Sequence, residues 1–149
     1  MNKVMLLVED NPTDEKLTLR AFKKRPATIQ IEVVRDGVEA LDYLFGTGAH
    51  SGRDVGTQPA LVLLDVKLPR MSGLEVLARM RGDERTRTVP VVILTASREE
   101  QDVVRSYQLG VNAYLRKPVD FAEFATTAET IARFWLILNE APPRQRSNA

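Results

Sequence analysis

Four short apolar runs in this chain each lead to residues that can bind phosphate or metal. The runs occupy residues 4–8, 61–64, 91–94 and 113–115, and they lead to Glu9-Asp10, Asp65, Thr95 and Lys117. Short apolar runs separated by segments with helical periodicity are typical of buried parallel strands. Because the carboxyl ends of parallel strands lie at one edge of an open α/β sheet, we expect these polar residues to converge in one crevice.

Strand and helix signals alternate five times along the chain. Asn11-Pro12 places a capping residue before a proline suited to the first helical turn, and this helix is predicted to extend to about Lys24. Residues 29–34 alternate like a strand at the edge of a sheet. The pattern predicts a single α/β domain of the flavodoxin-like type. Its doubly wound, five-stranded parallel sheet would have the order 2-1-3-4-5, with five helices on its two faces.

The remaining boundaries depend on caps and loops. The capping-box pattern occurs at Asp36 with Glu39, at Ser97 with Glu100 and at Asp120 with Glu123. The last of these begins a predicted helix over residues 121–139. Residues 46–59 form a loop longer than most in compact domains, which indicates either a functional segment or disorder. We expect the domain to cover residues 1–140 and the polar residues 141–149 to form a disordered tail.

Composition excludes several classes of function. The formal net charge is +1, so there is no electrostatic footprint for nucleic acid. The chain has no cysteine, which excludes disulfides and thiolate metal sites and favours the cytoplasm as its compartment. No run approaches the roughly 20 apolar residues of a membrane span. We therefore expect a cytoplasmic protein that contacts neither nucleic acid nor a membrane directly.

The acids at the strand ends suit a hard cation. Glu9, Asp10 and Asp65 supply carboxylate oxygens, and Mg²⁺ suits a site of one or two carboxylates, several waters and a phosphate oxygen. We therefore expect Mg²⁺ to bind where the first and third strands end.

The other residues at the strand ends suit a phosphoryl group. A carboxylate can act as a nucleophile and form an aspartyl phosphate, a reaction that depends mostly on positioning and on neutralising three equatorial oxygens. Lys117 offers a compact positive charge, Thr95 offers a hydroxyl donor, and the backbone N–H of Ala96 lies beside it. One cation, one ammonium and one hydroxyl would serve those three oxygens.

As a set, these residues have a highly specific spacing. Glu9-Asp10, Asp65, Thr95-Ala96 and Lys117-Pro118 resemble the receiver domain of two-component response regulators, and the resemblance covers nearly the whole chain. It implies a phosphoacceptor protein and not an enzyme, with slow self-phosphorylation and self-dephosphorylation. Asp65 would accept a phosphoryl group from a histidine kinase. The signal would pass to a downstream protein through the surface formed by the fourth helix, the fifth strand and the last helix.

The resemblance also implies roles for individual residues at the metal. Asp10, Asp65 and the backbone carbonyl of Lys67 would bind Mg²⁺, and Glu9 would act mainly through water.

Further roles concern the phosphoryl group and the switch. By the same resemblance, Thr95 and Lys117 contact the phosphoryl group, and Tyr114 is the aromatic residue that rotates on activation. The peptide bond between Lys117 and Pro118 is expected to be cis, a state essentially confined to bonds that precede proline.

A narrower resemblance is to the stand-alone regulators that partner phytochrome kinases. It depends on the long loop over residues 46–59, on Leu68-Pro69-Arg70, and on Phe134-Trp135-Leu136 followed by Asn139-Glu140. It implies a phytochrome-type histidine kinase as the partner.

The last helix carries more apolar surface than one face requires. One stripe comprises Phe124, Ala128, Ile131, Trp135 and Leu138. Phe134, Leu136 and Ile137 widen this surface, and a helix apolar around much of its circumference is normally buried on more than one side. The extra surface would pack against the chain's own tail, or it would form an interface with a second copy or another partner. A dimer interface at Phe134, Trp135 and Ile137 is favoured, because exposed apolar patches mark such sites.

Three alternatives compete with a phosphorylation switch. A phosphohydrolase of the haloacid-dehalogenase type also forms an aspartyl phosphate, but the sequence pattern of that family has a second Asp two residues after the nucleophile. This chain has Lys67 there. A receiver-like module that only binds a partner would be favoured if an acid or Lys117 were absent, and none is. Nucleotide binding is weaker still, because the chain lacks both glycine-rich phosphate-binding patterns.

Overall fold

The computed structural model describes residues 3–143, which form one sheet covered by helices on both faces. The strands are β1 (Lys3–Val8), β2 (Ile29–Val34), β3 (Leu61–Leu64), β4 (Val91–Thr95) and β5 (Ala113–Arg116). The α-helices are α1 (Pro12–Ala21), α2 (Gly37–Phe45), α3 (Gly73–Arg81), α4 (Glu100–Gln108) and α5 (Phe121–Ala132). A short 3₁₀ turn (Gly48–His50) follows α2, and a π-helical segment (Arg133–Leu138) follows α5. None of the described helices is long and apolar enough to cross a membrane.

The sheet confirms the predicted order. All neighbouring strands are parallel and the order is β2-β1-β3-β4-β5. Val8 at the end of β1 pairs with Val34 on one side and with Leu64 on the other. Glu9 and Asp65, the residues that directly follow these two strands, therefore lie at the same level of the sheet edge.

Alternation along the strands divides the core into two layers. In β1, Leu6 and Val8 pack on the side of α2 and α3, whereas Met5 and Leu7 pack on the side of α1 and α5. All four side chains are at most 3% exposed. Burial of one such side chain stabilises a fold by roughly 2 kcal/mol, so these contacts fix the end of β1 within the core.

The first helix ends earlier than predicted. It stops at Ala21 and not near Lys24, and Phe22 turns into the core with 1% of its surface exposed. The carbonyl oxygen of Phe22 accepts from both the backbone N–H and the guanidinium of Arg25, each at 3.1 Å. Pro26 follows, and a residue before proline avoids helical backbone angles.

Only one of the three predicted capping boxes forms its side-chain cap. The Asp36 carboxylate accepts from the backbone N–H of Glu39 at 2.7 Å, as predicted. Asp120 is the N-cap residue of α5, but its side chain makes no capping hydrogen bond. Ser97 lies before α4, whose N-cap residue is Glu99. The Ser97 hydroxyl donates to Asp102 at 2.6 Å and accepts from the backbone N–H of Glu99 at 3.4 Å, so the box predicted with Glu100 does not form.

The long loop over residues 46–59 is ordered by an arginine. Arg53 donates to the carbonyl oxygens of Leu44 and Thr57 at 3.2 and 2.7 Å, and its guanidinium lies 4.2 Å from the ring centroid of Tyr43. Gln58 adds a bond to Leu44 at 3.0 Å. Both side chains thus donate to a carbonyl oxygen in the last turn of α2, where helical partners are missing. The loop is therefore ordered despite its length.

The last helix changes its winding. Its axis continues to Leu138, close to the predicted end, but after Ala132 it widens, and the N–H of Asn139 donates to the carbonyl oxygen of Phe134 five residues earlier at 2.7 Å. Lys3 donates to the carbonyl oxygen of Leu136 at 2.9 Å. A hydropathy pattern does not separate these windings. The predicted tail lies largely on residues 144–149, outside the described residues.

Candidate functional site

Three acids gather where β1 and β3 end. Glu9, Asp10 and Asp65 each place a carboxylate oxygen within 4.8 Å of the others. Glu9 and Asp65 are buried, whereas Asp10 is exposed. Two buried oxygen donors and one open to solvent fit a hard cation that keeps part of its water. The predicted cluster is therefore assembled by the strand register.

Lys117, which directly follows β5, contacts the same cluster. Its backbone N–H donates to the carbonyl oxygen of Thr95 at 2.7 Å, which extends the pairing of β4 with β5. Its ammonium lies 2.7 Å from Asp65, 2.6 Å from Glu9 and 2.9 Å from Asp14. These contacts hold the ammonium beside the carboxylate that would carry a phosphoryl group.

Asp14 is a site residue that the sequence reasoning missed. It lies in the first turn of α1 and its side chain is 23% exposed. An acid in a first helical turn is ordinary, because the helix dipole favours it there. The only sequence signal is that Asp14 lies one helical turn after Asp10. That spacing alone does not predict a contact between Asp14 and Lys117.

Burial and charge act in opposite directions on this cluster. Burial raises the pKa of Glu9 from 4.5 to about 7, although the hydrogen bond and the charge of Lys117 lower it. Burial would lower the pKa of Lys117, but its hydrogen bonds to Asp65, Glu9 and Asp14 raise it above the ordinary value. Lys117 is therefore a permanent cation near neutral pH, whereas Glu9 changes charge there.

The titration of Glu9 predicts how stability depends on pH. Between pH 4.5 and about 7 the folded protein holds a proton on Glu9 that the unfolded chain has lost, so its contribution to the free energy of unfolding falls as pH rises. Urea unfolding in EDTA should show this fall in the wild type and not in Glu9→Gln. Superimposable pH profiles for the two proteins would contradict the assignment.

The second oxygen of Asp65 has its own donors. The Thr95 hydroxyl donates to Oδ1 at 2.7 Å, and the backbone N–H of Lys67 donates to the same oxygen at 3.3 Å. Thr95 is 1% exposed, so its hydroxyl is held beneath the site. Ala96 follows at the exposed surface. Its backbone contact with a phosphoryl group stays a prediction, as does metal binding by the carbonyl of Lys67.

Gly73 explains how the backbone of Asp65 is fixed. A Cβ at this position would overlap the carbonyl oxygen of Asp65. The Gly73 N–H donates to the carbonyl oxygen of Val66 at 2.8 Å, so α3 begins directly against the end of β3. A glycine permits this approach because it has no side chain.

Tyr114 and Pro118 are the two remaining residues with predicted roles. Tyr114 is partly buried, burial raises the pKa of its phenol, and its hydroxyl lies 3.5 Å from the carbonyl oxygen of Ser97 after β4. It therefore contacts the segment that follows Thr95, and its rotation stays a prediction.

No cis peptide bond occurs among residues 3–143, so the prediction for the bond between Lys117 and Pro118 is wrong. Trans is favoured by about 0.5–1 kcal/mol before proline, and a residue pattern does not reverse that preference.

The comparison with known proteins agrees with this geometry. Residues 5–129 match the response regulator receiver domain. The probable methanogenesis regulatory protein FilR2 of Methanothrix harundinacea is 43% identical over 139 residues, which are 93% of this chain and 87% of that protein. The response regulator Rcp1 of Synechocystis sp. is 37% identical over 134 residues, which are 90% of this chain and 89% of Rcp1.

Solved structures show the same likeness. The Mn²⁺-bound form of Rcp1 has a TM-score of 0.89 at 35% identity, covering 95% of this chain and 99% of that chain. The phosphorylated cyanobacterial phytochrome response regulator RcpA has a TM-score of 0.90 at 35% identity, covering 96% and 100%. With its fold, its acidic cluster and its lysine in place, the chain belongs to the family of response regulator receiver domains.

Proposed function

We propose that Asp65 is the phosphoacceptor of this response regulator and that a histidine kinase is the donor. The observation that carries the proposal is the set of contacts on one carboxylate. Lys117 lies 2.7 Å from Oδ2 and the Thr95 hydroxyl lies 2.7 Å from Oδ1. Glu9 and Asp10 lie beside it.

In the proposed reaction, an Asp65 oxygen attacks the phosphorus of a phosphohistidine. A P–O bond forms as the P–N bond breaks, and the electron pair of that bond leaves with the imidazole. Lys117 would neutralise one equatorial oxygen, and the Thr95 hydroxyl with the Ala96 N–H would donate to another. Mg²⁺, held by Asp10, Asp65 and the Lys67 carbonyl with Glu9 acting through water, would supply neutralisation of the remaining charge.

A hydrolase function is less well supported. The residue two positions after Asp65 is Lys67, and its ammonium lies 3.7 Å from Asp102. A lysine in that place does not supply the acid/base that a dedicated phosphohydrolase needs. The chain is therefore proposed to act as a phosphoacceptor whose own dephosphorylation is slow.

The metal requirement is testable without the kinase. With Mg²⁺ and acetyl phosphate, the intact mass should increase by one phosphoryl group, and EDTA should prevent the gain. Asp10→Asn should weaken Mg²⁺ binding roughly tenfold or more, since even residues that only orient a metal ligand have effects of that size. Asp83→Asn is the matched control, because this acid lies in the α3–β4 loop, where it is partly exposed and pairs with Arg85. Equal gains with Mg²⁺ and with EDTA would reject the metal site.

A phytochrome-type kinase is the proposed partner. Support comes from RcpA, whose structure is that of a phosphorylated phytochrome response regulator. Because a histidine kinase consumes ATP, the proposal places the chain in the cytoplasm. Phosphotransfer from a panel of histidine kinases should be fastest from a phytochrome kinase, and transfer at equal rates from unrelated kinases would contradict this partner.

We also propose a homodimer through the π-helical segment. Phe134 and Ile137 are 49% and 54% exposed, so these side chains leave an apolar patch on the surface. Trp135 differs from the prediction in part: it packs edge to face on Phe134 at 5.0 Å between ring centroids and also against the core. Its place in the interface is therefore secondary.

The dimer is tested by sedimentation. Phe134→Glu with Ile137→Glu should shift the wild-type protein from dimer to monomer, because each change places a charge in the apolar patch. Val119→Glu, at a side chain 92% exposed before α5, should leave the oligomeric state unchanged. Monomeric wild type under all conditions, with and without phosphorylation, would rule the interface out.

A further inference from the structure

A continuous chain of hydrogen bonds leads from the phosphoacceptor into α4. The Thr95 hydroxyl donates to Asp65 at 2.7 Å, and the backbone N–H of Ser97 donates to the Thr95 hydroxyl oxygen at 3.2 Å. The Ser97 hydroxyl then donates to Asp102 in the first turn of α4 at 2.6 Å. All four residues are at most 9% exposed. The site and the helix are thus joined through buried groups.

Asp102 is an unusual member of this chain. Its residue is 7% exposed, although burial of a carboxylate is costly unless the charge is paired. It does not cap α4, whose N-cap residue is Glu99 and which has no side-chain cap. Its side-chain contacts are the Ser97 hydroxyl and the Lys67 ammonium at 3.7 Å. Asp102 therefore holds the helix to the loop that follows Thr95.

Lys67 lies between the Asp65 carboxylate and two acids at the start of α4. Its backbone N–H donates to the Asp65 carboxylate at 3.3 Å, while its ammonium lies near Asp102 and 3.9 Å from Glu99. The Lys67 side chain is 63% exposed, so these ion pairs are weak and easily exchanged. A phosphoryl group on Asp65 would bring strong negative charge within reach of the same flexible side chain.

We propose that Asp102 is a positioning residue that holds α4 in the unphosphorylated arrangement, and that Lys67 moves from Asp102 to the phosphoryl group when Asp65 is phosphorylated. The inference deepens the proposed function and depends on it. Loss of the Lys67 charge leaves the buried Asp102 carboxylate without a counter-ion, which favours its exposure. At the same time Thr95 leaves Asp65 for a phosphoryl oxygen and draws Ser97 with it. Both changes loosen the first turn of α4.

Hydrogen exchange of residues 97–108 measures this loosening. Wild type, Lys67→Met, Asp102→Asn and the double variant are phosphorylated with acetyl phosphate, and exchange is read only in molecules whose intact mass carries the phosphoryl group. In the wild type, phosphorylation should increase exchange over this segment. Each single variant should reduce the increase roughly fivefold, the lower end of typical coupling between sites. The double variant should reduce it no further, because both changes interrupt one step.

Two controls make the outcome specific. Lys67→Arg keeps the cation and should restore the response, and Glu100→Gln removes an exposed acid from the same turn and should leave it intact. Phosphorylated single variants with a full response, or additive losses in the double variant, overturn the inference. If the wild type gains no phosphoryl mass, the proposed function fails with it, and the mass spectrum distinguishes the two failures.

Discussion

Asp65→Asn should abolish the gain of one phosphoryl group that the wild type shows with Mg²⁺ and acetyl phosphate. An amide lacks the nucleophilic oxygen of a carboxylate, so we expect the rate to fall at least about a thousandfold. Asn retains an oxygen that can accept from the Thr95 hydroxyl, and Lys117 keeps its contacts with Glu9 and Asp14. The site should therefore stay folded while losing its acceptor. Intact mass spectrometry over time measures both proteins.

Neighbouring acids make this test demanding. Asp14 and Glu9 lie within 2.9 Å of the same ammonium, so either could receive a phosphoryl group if position alone decided the reaction. Asp14→Asn should leave the acceptor at Asp65, located by peptide mapping of the phosphorylated protein. An undiminished mass gain in Asp65→Asn would show that a different acid is the acceptor.

Arg81→Met should lower the free energy of unfolding by about 3 kcal/mol or more. The Arg81 guanidinium donates to the carbonyl oxygens of Gly110 and Val89, each at 2.9 Å, and to the Asn112 side chain at 3.0 Å. It thereby ties the end of α3 to the loops before β4 and β5. Methionine keeps the length of the apolar stem but removes all three hydrogen bonds. Of these three acceptors, the Asn112 oxygen keeps a second donor, the Val91 N–H at 2.8 Å. Urea denaturation measures the loss.

Arg79 provides the matched control, since it lies in the same last turn of α3 and is exposed. Arg79→Met should change the free energy of unfolding by no more than about 0.5 kcal/mol. Burial lowers the pKa of Arg81, which shows that its charge is partly removed from water. If both variants unfolded at the same urea concentration, the hydrogen-bond network would not contribute to stability.

The main features of the fold and the site could be predicted because they follow from strand ends. Parallel strands place their carboxyl ends at one edge, so Asp10, Asp65 and Lys117 were predictable as neighbours from the apolar runs before them. Asp14 and Asp102 were not. Both are acids in first helical turns, where the helix dipole explains them without any site. Their contacts depend on how α1 and α4 lean on the sheet.

Some local details could not be predicted because small differences in energy decide them. The bond before Pro118 is decided by about 0.5–1 kcal/mol, which a sequence pattern does not resolve. The widening of the helix after Ala132 changes which carbonyl each N–H reaches but not which side chains are apolar. Ser97 had a capping pattern with Glu100, yet α4 begins only at Glu100, and the Ser97 hydroxyl accepts from the backbone N–H of Glu99 instead.

The crowding of carboxyl groups around Lys117 also affects how fast a donor can arrive. Glu9, Asp14 and Asp65 contact its ammonium, and Asp10 lies beside them, so the mouth of the metal-free site is negative at neutral pH. A small anionic donor is repelled over about 10 Å at 0.1 M salt, and added salt should speed its encounter. A kinase can offset this repulsion with contacts elsewhere on the surface. Before Mg²⁺ binds, these charges would therefore slow the arrival of small anionic donors.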